Sequence, residues 1–489
     1  MKKGKARLPD PEGKENRIMT KKYDLIIIGA GPGGYTAAIR AAELGLRTAV
    51  IEERELGGVC VNRGCIPTKA LLYASHLFSL MQNSDQFGIF TDQISFDYGK
   101  MQKYKEKSVK TCRNGIQQSF EKLGIHLVRG KGILRRDRTV EVRGAEGLEF
   151  YQGQHVILAA GARAFIPSIP GADLPGVVTS DKILSETDWN YSRVVIIGGG
   201  VIGVEMASIF HNLCSQVMIV EKNDHLLGPM DRKVAGELEH SLRSRGIEIY
   251  CGAQCCQVEE SKSGLLCRIK TADGKEIRQP AGTVLIAAGR KPEPEALMGE
   301  DVQLRMEEGR LWTDENFQTS QEGVYAIGDL TAKTQLAHVA AAQGIFVVES
   351  LAGKPRSIRL EVVPNGMFVR LPIVPNCIYT NPEIATVGIT EEAAEKMGMH
   401  VRTGYYSMND NGKSIITRAD GGFICLVFEA YSNTIVGAQI ICPRATDMIG
   451  EMATAIANGL TAEQLSYAMR AHPTYSEGIR AAIADALTK

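Results

Sequence analysis

Two cysteines, Cys60 and Cys65 in the run GGVCVNRGCIPTK (residues 57–69), carry the most legible chemistry of the chain. Thiols so placed can cycle between dithiol and disulfide, which makes them a two-electron relay. In a regular helix a five-residue step spans roughly 7.5 Å along the axis, whereas a disulfide accepts Cα atoms ~4.4–6.8 Å apart. A bridge therefore requires the chain around Cys60 to leave the helix, which Gly57, Gly58 and Gly64 permit. Regular helix is expected only beyond Pro67. Thiols at a helix start are favoured as thiolates, and Arg63 between them adds positive charge. The rival readings are two buried free thiols or half of a metal site. A zinc site would want a second Cys/His pair at ligand spacing, and Cys255-Cys256, adjacent in a strand, point to opposite faces. No metal is expected.

Lys69 follows four residues after Cys65, on nearly the same helix face, and Glu205 is its candidate partner across a cofactor. Near the C-terminus stands HPTYSE (472–477). His472 reads either as a structural histidine or as a general base whose tautomer Glu477 sets. Thr474-x-x-Glu477 is also a capping-box pattern opening the last helix.

The elements that must position these groups are two dinucleotide modules. YDLIII (23–28) is a continuous apolar run suited to a strand buried on both faces. It leads into GAGPGG (29–34), an Ala-rich helix, the strand LRTAVI and Glu52. The glycines let the backbone approach a pyrophosphate at a helix N-terminus, and Glu52 is placed for a ribose. The pattern recurs as RVVII (193–197), GGGVIG (198–203), the strand QVMIV and Glu221. Each first glycine precedes its carboxylate by 23 residues, from 29 to 52 and from 198 to 221. In the second module Lys222-Asn-Asp follows Glu221, with no arginine pair to clamp a 2′-phosphate, so NAD is expected over NADP. HVILAAGA (155–162) and TVLIAAGR (283–290) are apolar strands, one after each module. TSQEGVYAIGD (319–329) is a third, whose Asp329 could bind a ribityl hydroxyl ahead of the helix QLAHVAAAQG.

The totals fit an enzyme of this kind. The 489 residues suggest roughly three domains, and 44% apolar content with 51 glycines suits an α/β protein. Lys+Arg and Asp+Glu both number 56, so no nucleic-acid or membrane partner is indicated. No apolar run reaches the ~18 residues needed to span a bilayer. Eleven cysteines scattered along the chain argue for a reducing compartment, read as cytoplasmic. Residues 1–22 carry eight Lys/Arg without an apolar core and read as a disordered tail.

Taken together these residues resemble the class I pyridine nucleotide-disulfide oxidoreductases, and within them the dihydrolipoamide dehydrogenases. The resemblance covers residues 23–489 and rests on GAGPGGYTAAIRAAELG, GGVCVNRGCIPTK, GGGVIGVE, VYAIGD, QLAH, NCIYTNPEIATVG and HPTYSE in family order. It implies an α/β fold: an FAD-binding Rossmann-like domain (23–166), an NAD-binding one (167–290), a central domain completing the FAD site (291–358) and a C-terminal α+β dimerisation domain (359–489). FAD would be held by Gly29, Gly31, Gly34, Glu52, Lys69, Gly132, Gly161, Asp329, Gln335, Leu336, Ala337 and His338. NAD would be held by Gly198, Gly200, Ile202, Gly203, Glu205, Glu221 and Gly289. Cys60 would exchange with substrate, Cys65 would lie against the flavin, and Lys69 with Glu205 would sit near flavin N5. A homodimer is implied, each site borrowing His472 and Glu477 from the other chain, with a His-Pro bond often cis. The implied reaction oxidises dihydrolipoamide on lipoyl domains of 2-oxo-acid dehydrogenase or glycine cleavage complexes, and reduces NAD+.

Three features depart from the family pattern: Tyr475 beside the histidine, Cys214 where a glycine usually ends the helix, and a longer segment at 360–374. Glutathione- or mercuric-reductase-like activity is the alternative, and a flavoprotein scaffold subunit a further one. The ending ADALTK lacks the cysteine pair of mercuric reductases.

Overall fold

A computed structural model describes residues 21–489 except 190, 263, 332–333, 363–370 and 420. The apolar run of the first module forms the strand Lys21–Ile28, with Leu25, Ile26 and Ile27 fully buried. It pairs in parallel with Thr48–Glu52 on one side and Gly147–Leu158 on the other. The long strand Gly147–Leu158 serves two partners: its first half runs antiparallel to Thr139–Gly144, and its last residues run parallel to Val324–Ala326. Strands His126–Arg129 and Lys131–Leu134 complete this seven-stranded sheet. The carboxyl ends of five parallel strands thus share one edge, the edge where open α/β sheets bind ligands. Lys21 and Lys22, read from sequence as part of a disordered tail, instead pair with Tyr151 and Gln152, because backbone pairing extends the ladder past the apolar residues. The rest of that expected tail, residues 1–20, lies outside the described residues.

The second sheet is wholly parallel, in the order Glu248–Tyr250, Gln216–Val220, Arg193–Ile197, Thr283–Ile286, Val177–Thr179. A three-stranded antiparallel sheet (Gln254–Ser261, Gly264–Lys270, Glu276–Ala281) packs on it. A short ladder between Ala162–Ala164 and Arg290–Pro292 ties the two modules at their strand ends. The C-terminal part is a five-stranded antiparallel sheet, Asn376–Ile378, Ile384–Gly388, Ile435–Ile441, Phe423–Glu429, Val401–Ser407, covered by helices Ala445–Ala457 and Glu477–Leu487. The architecture is the expected α/β arrangement.

Two packing features fix the site. Helix Pro32–Glu43 lies against helix Ala337–Leu351, where a Cβ on Gly344 would meet the Gly33 carbonyl oxygen at 2.7 Å. Arg40 donates there to Glu349, which is fully buried and also accepts from the Ser357 amide and hydroxyl. The second feature is one core shared by three parts of the chain. Leu71, Leu72 and Phe78, C-terminal to the cysteines, pack with Val204 and Phe210 of the second module and with Ile378 and Ile384 of the C-terminal sheet. Each fully buried side chain of this size contributes about 1.5–3 kcal/mol, so the helix bearing Cys65 is anchored where the modules meet.

Cys214 adopts φ +68°, the left-handed conformation that favours glycine at a helix end. In the longer segment, Glu361–Val362 pair with Leu371–Pro372, while 363–370 lie outside the described residues. Among the described residues no helix is long and apolar enough to cross a membrane.

Candidate active site

Cys60 and Cys65 form a disulfide with Cα atoms 4.6 Å apart. The chain shortens the helical distance by a break, although the break is not around Cys60 as expected. Cys60 lies inside the short helix Gly58–Arg63, and the interruption falls at Gly64, with φ −143° and ψ −107°. Regular helix then begins at Cys65 itself, not beyond Pro67. The reason is local: Gly57 at φ +96° starts the first helix, Asn62 Nδ2 caps the Leu56 and Gly58 carbonyls, and one glycine suffices to reset the direction. Arg63 forms an ion pair with Glu55 at 2.5 Å. Cys255 is buried and Cys256 exposed, as their alternation in a strand requires.

Lys69 meets Glu205, its candidate partner, directly. Its ammonium donates to both carboxylate oxygens at 2.9 and 2.8 Å, and Glu205 is only 3% exposed. Two further contacts come from a residue that sequence reasoning quoted but did not single out. The Tyr379 amide donates to Glu205 at 3.1 Å, and its ring lies 4.7 Å from the Lys69 ammonium. Its only signal in sequence was membership of the run NCIYTNPEIATVG.

His472 Nδ1 lies 2.9 Å from Glu477 Oε1, after a cis His472-Pro473 bond. Glu477 Oε2 accepts from the Thr474 amide, and that bond together with His472 holds the carboxyl below its ordinary range. The expected capping box forms only by half, since the Thr474 hydroxyl donates to the Ala471 carbonyl. The other carboxylate oxygen, Oε1, meets the imidazole. Asn411 donates to the Thr474 carbonyl at 3.0 Å, and Tyr475 shares a hydrogen bond with Thr417 at 2.8 Å. The His472 side chain remains 78% exposed, and Tyr467 and Met469, a few residues earlier in the chain, are exposed as well.

The two glycine fingerprints divide their labour in the same way. A Cβ on Gly29 would meet the Ala159 oxygen at 2.5 Å, and one on Gly34 the Gly29 oxygen at 1.9 Å. On Gly198 and Gly203 the corresponding clashes are at 2.4 and 2.0 Å. The middle glycines face space: Gly200 has nothing within 4 Å, and Gly31 has only the Gly58 Cα at 4.0 Å. Glu52 accepts from the Ala30 and Arg54 amides, and Glu221 from the Gly199 and Asn223 amides, so each carboxylate is held at its loop.

The pyridine nucleotide-disulphide oxidoreductase family matches residues 23–344, and the dimerisation domain of that family matches residues 374–483. The chain belongs to this family. The curated dihydrolipoyl dehydrogenase of Bacillus subtilis is 35% identical over 473 residues, covering 94% of this chain and 97% of the relative. That of Haloferax volcanii is 34% identical, covering 95% and 96%. Among solved structures, the HOCl-induced flavoprotein disulfide reductase RclA of Escherichia coli, in its Cu(II) complex, matches with TM-score 0.82 and 25% identity over 96% of this chain and 100% of that one. LpdA of Mycobacterium tuberculosis, at 23% identity and TM-score 0.84 over 95% and 99%, shares the fold.

The family binds FAD and NAD(P), and the residues present fit such groups. Besides the two open middle glycines, Gly161 and Gly289 take φ +71° and +108° with nothing within 4 Å. Helices Pro32–Glu43, Val201–Asn212 and Ala337–Leu351 begin without a side-chain cap, leaving their first amides for an anion. Gln335 Nε2 is buried with no partner among the described residues, an orphaned donor beside Leu336, Ala337 and His338. His338 itself bonds the Pro375 carbonyl at 2.7 Å. Asp329 lies in the short turn Gly328–Leu330; burial pushes its carboxyl up, and Arg290 and Arg310 oppose that rise. Gly132 is buried, where a Cβ would press on Ile28 and Ile51 at 3.0 Å, and Ile202 packs on the shared core. Among the described residues no group of His, Cys, Asp and Glu could hold a metal.

Proposed function

We propose that this oxidoreductase oxidises dihydrolipoamide to lipoamide and reduces NAD+ to NADH, as the dihydrolipoyl dehydrogenase of a 2-oxo-acid dehydrogenase or glycine cleavage complex. The observation that carries the reading is the Cys60–Cys65 disulfide on the same helical segment as Lys69, whose ammonium is paired to Glu205 of the nucleotide-binding module. The names of the curated relatives support the substrate. FAD, when bound, supplies the two-electron relay between the dithiol and the nicotinamide.

The chain's own residues then act as follows. A substrate thiol gives its proton to His472 Nε2 and attacks Cys60 Sγ, the Cys60–Cys65 bond breaks, and Cys65 leaves as a thiolate. The second substrate thiol then attacks the substrate sulfur held by Cys60, Cys60 leaves and takes up that thiol's proton, and the lipoamide disulfide closes. Glu477 fixes the tautomer by accepting from Nδ1–H, which leaves Nε2 as the base. Because His472 is 78% exposed in one chain, and Tyr467 and Met469 a few residues before it are exposed apolar groups, a second copy is proposed to cover it and share its site. The dimerisation domain supports the homodimer. Glu221 supports NAD over NADP, since a buried carboxylate repels a 2′-phosphate. The five-part domain division and the site residues set out from the sequence are part of this proposal. So is a cytoplasmic setting, which nine free cysteines favour.

The likeness to RclA favours one second reading, a reductase acting on another disulfide. Purified holoprotein decides between them. Rapid NADH formation from dihydrolipoamide and NAD+ supports the proposal; inertness to lipoamide with reduction of glutathione disulfide by NADPH overturns it.

A further inference from the structure

The pair Lys69–Glu205 is the junction of two modules, yet the third part of the chain also reaches it. The edge strand Asn376–Ile378 delivers Tyr379 directly onto the pair. The delivery is rigid. Ile378 is fully buried in the shared core, and the strand is hydrogen-bonded to Ile384–Gly388. Beyond Tyr379, Thr380 is 4% exposed and donates to the Pro382 carbonyl, while Glu383 accepts from the Thr446 amide and hydroxyl. The backbone at Tyr379 is thus held on both sides, and the residue, 38% exposed, lays its ring over an ammonium that is itself about one-third exposed.

The three contacts have different jobs. The Tyr379 amide gives Glu205 a hydrogen bond that any residue at this position would give. The ring face attracts the Lys69 charge and shuts water from one side of it. The phenol hydroxyl has no hydrogen-bond partner among the described residues, and burial pushes it up to about 12, so it stays neutral and adds no charge. A lysine has four rotatable bonds and loses considerable freedom when held in one place. Two carboxylate oxygens and a ring face define that place on two sides.

We infer that Tyr379 is a positioning residue, whose aromatic face holds the Lys69 ammonium at Glu205, so that the dimerisation part of the chain tunes the charge beside the hydride path. This rests on the proposed reading that Lys69 serves the flavin. The consequence is specific: the ring matters, the hydroxyl does not, and the effect runs through Lys69.

The test uses FAD-loaded full-length protein carrying Tyr379→Phe, Tyr379→Leu or Tyr379→Met, alone and with Lys69→Met. Flavin reduction by NADH is followed by stopped flow, and the flavin midpoint potential by dye equilibration. Tyr379→Phe is expected to match the parent in both. Tyr379→Leu and Tyr379→Met are expected to slow reduction about 3- to 30-fold, the range of a cation–π contact, with KM for NADH unchanged. They should also lower the midpoint potential, because a less confined positive charge stabilises added electrons less. In the Lys69→Met background the same substitutions should change neither quantity further. Equal damage from Phe and Leu, an undiminished effect without Lys69, or parental behaviour of Leu and Met each overturn the inference. So does failure of both non-aromatic variants to fold, which would make the ring a packing element. Because NADH is the reductant, inertness to dihydrolipoamide would refute the proposed substrate and leave this inference standing.

Discussion

Removing the Lys69 ammonium should expose how much Glu205 depends on it. The charges lie 2.8 Å apart, and at an effective dielectric of about 20 such a pair attracts by about 6 kcal/mol. Most of that offsets desolvation, since the Glu205 side chain is only 4% exposed. Breaking a buried pair by deleting one partner costs about 3–5 kcal/mol. Lys69 is 30% exposed, which brings the expected cost of Lys69→Met down to about 2–3 kcal/mol. The stranded carboxylate keeps one hydrogen bond, from the Tyr379 amide. Glu205→Gln should cost less, about 1 kcal/mol, because the freed ammonium can turn to water and the amide still accepts. Lys69→Met with Glu205→Leu should recover most of the loss, a coupling of about 1.5–2.5 kcal/mol in a double-mutant cycle. Urea unfolding of the parent, Lys69→Met, Glu205→Leu and the double variant measures it, with Glu205→Gln unfolded alongside and amide exchange in helices Cys65–Gln82 and Val201–Asn212 as a local readout. A coupling below about 0.5 kcal/mol, or Lys69→Met no costlier than Glu205→Gln, would refute the argument that these charges are buried together.

Further predictions follow from the same geometry. Cys60→Ser should abolish dihydrolipoamide turnover yet leave a yellow protein, because the disulfide is lost but the glycine cradles are untouched; equal loss of flavin would make the pair structural. Gly200→Ala should fold with unchanged thermal stability and bind NADH more weakly, since its Cβ enters open space. Gly203→Ala should instead lower the melting temperature, because its Cβ would sit 2.0 Å from the Gly198 oxygen; equal melting temperatures would contradict this. Glu349 should make the protein acid-sensitive. Burial raises its carboxyl, but the Ser357 amide and hydroxyl and Arg40 outweigh that and hold it below the ordinary range. A depressed folded value means stability present above the unfolded pKa of about 4.3 and lost as pH falls through the folded one. Melting temperatures of Glu349→Gln should therefore vary less with pH in that window than those of the parent, and parallel curves would count against the clamp.

The two dinucleotide modules were legible because their physics is local. A buried strand, a glycine turn and a carboxylate 23 residues on must lie within one short unit, and Glu52 and Glu221 bond back to their own loops. Lys69 could be nominated because it stands four helical residues after Cys65, and Glu205 because it lies just past the second glycine turn. The disulfide geometry was harder. Sequence showed that the helix must be interrupted and placed the interruption around Cys60, but the structure puts it at Gly64, because three glycines nearby could each have supplied the turn. The half-formed capping box at Thr474 was illegible for a related reason: whether the hydroxyl oxygen meets the Glu477 amide depends on backbone geometry, and here the hydroxyl is turned to the Ala471 carbonyl.

Tyr379, Asn411 and Glu349 belong to the other class of information. Tyr379 stands 310 residues after Lys69 and 174 after Glu205, and nothing local in its strand announces an ammonium. What the sequence by itself determined is which groups can exchange electrons, protons and nucleotides, since those capacities reside in residue types at short spacing. What only the tertiary structure decided is which of them share a charge, because contacts between modules are set by the joint burial of Leu71, Phe210 and Ile378 and carry no periodicity in the chain.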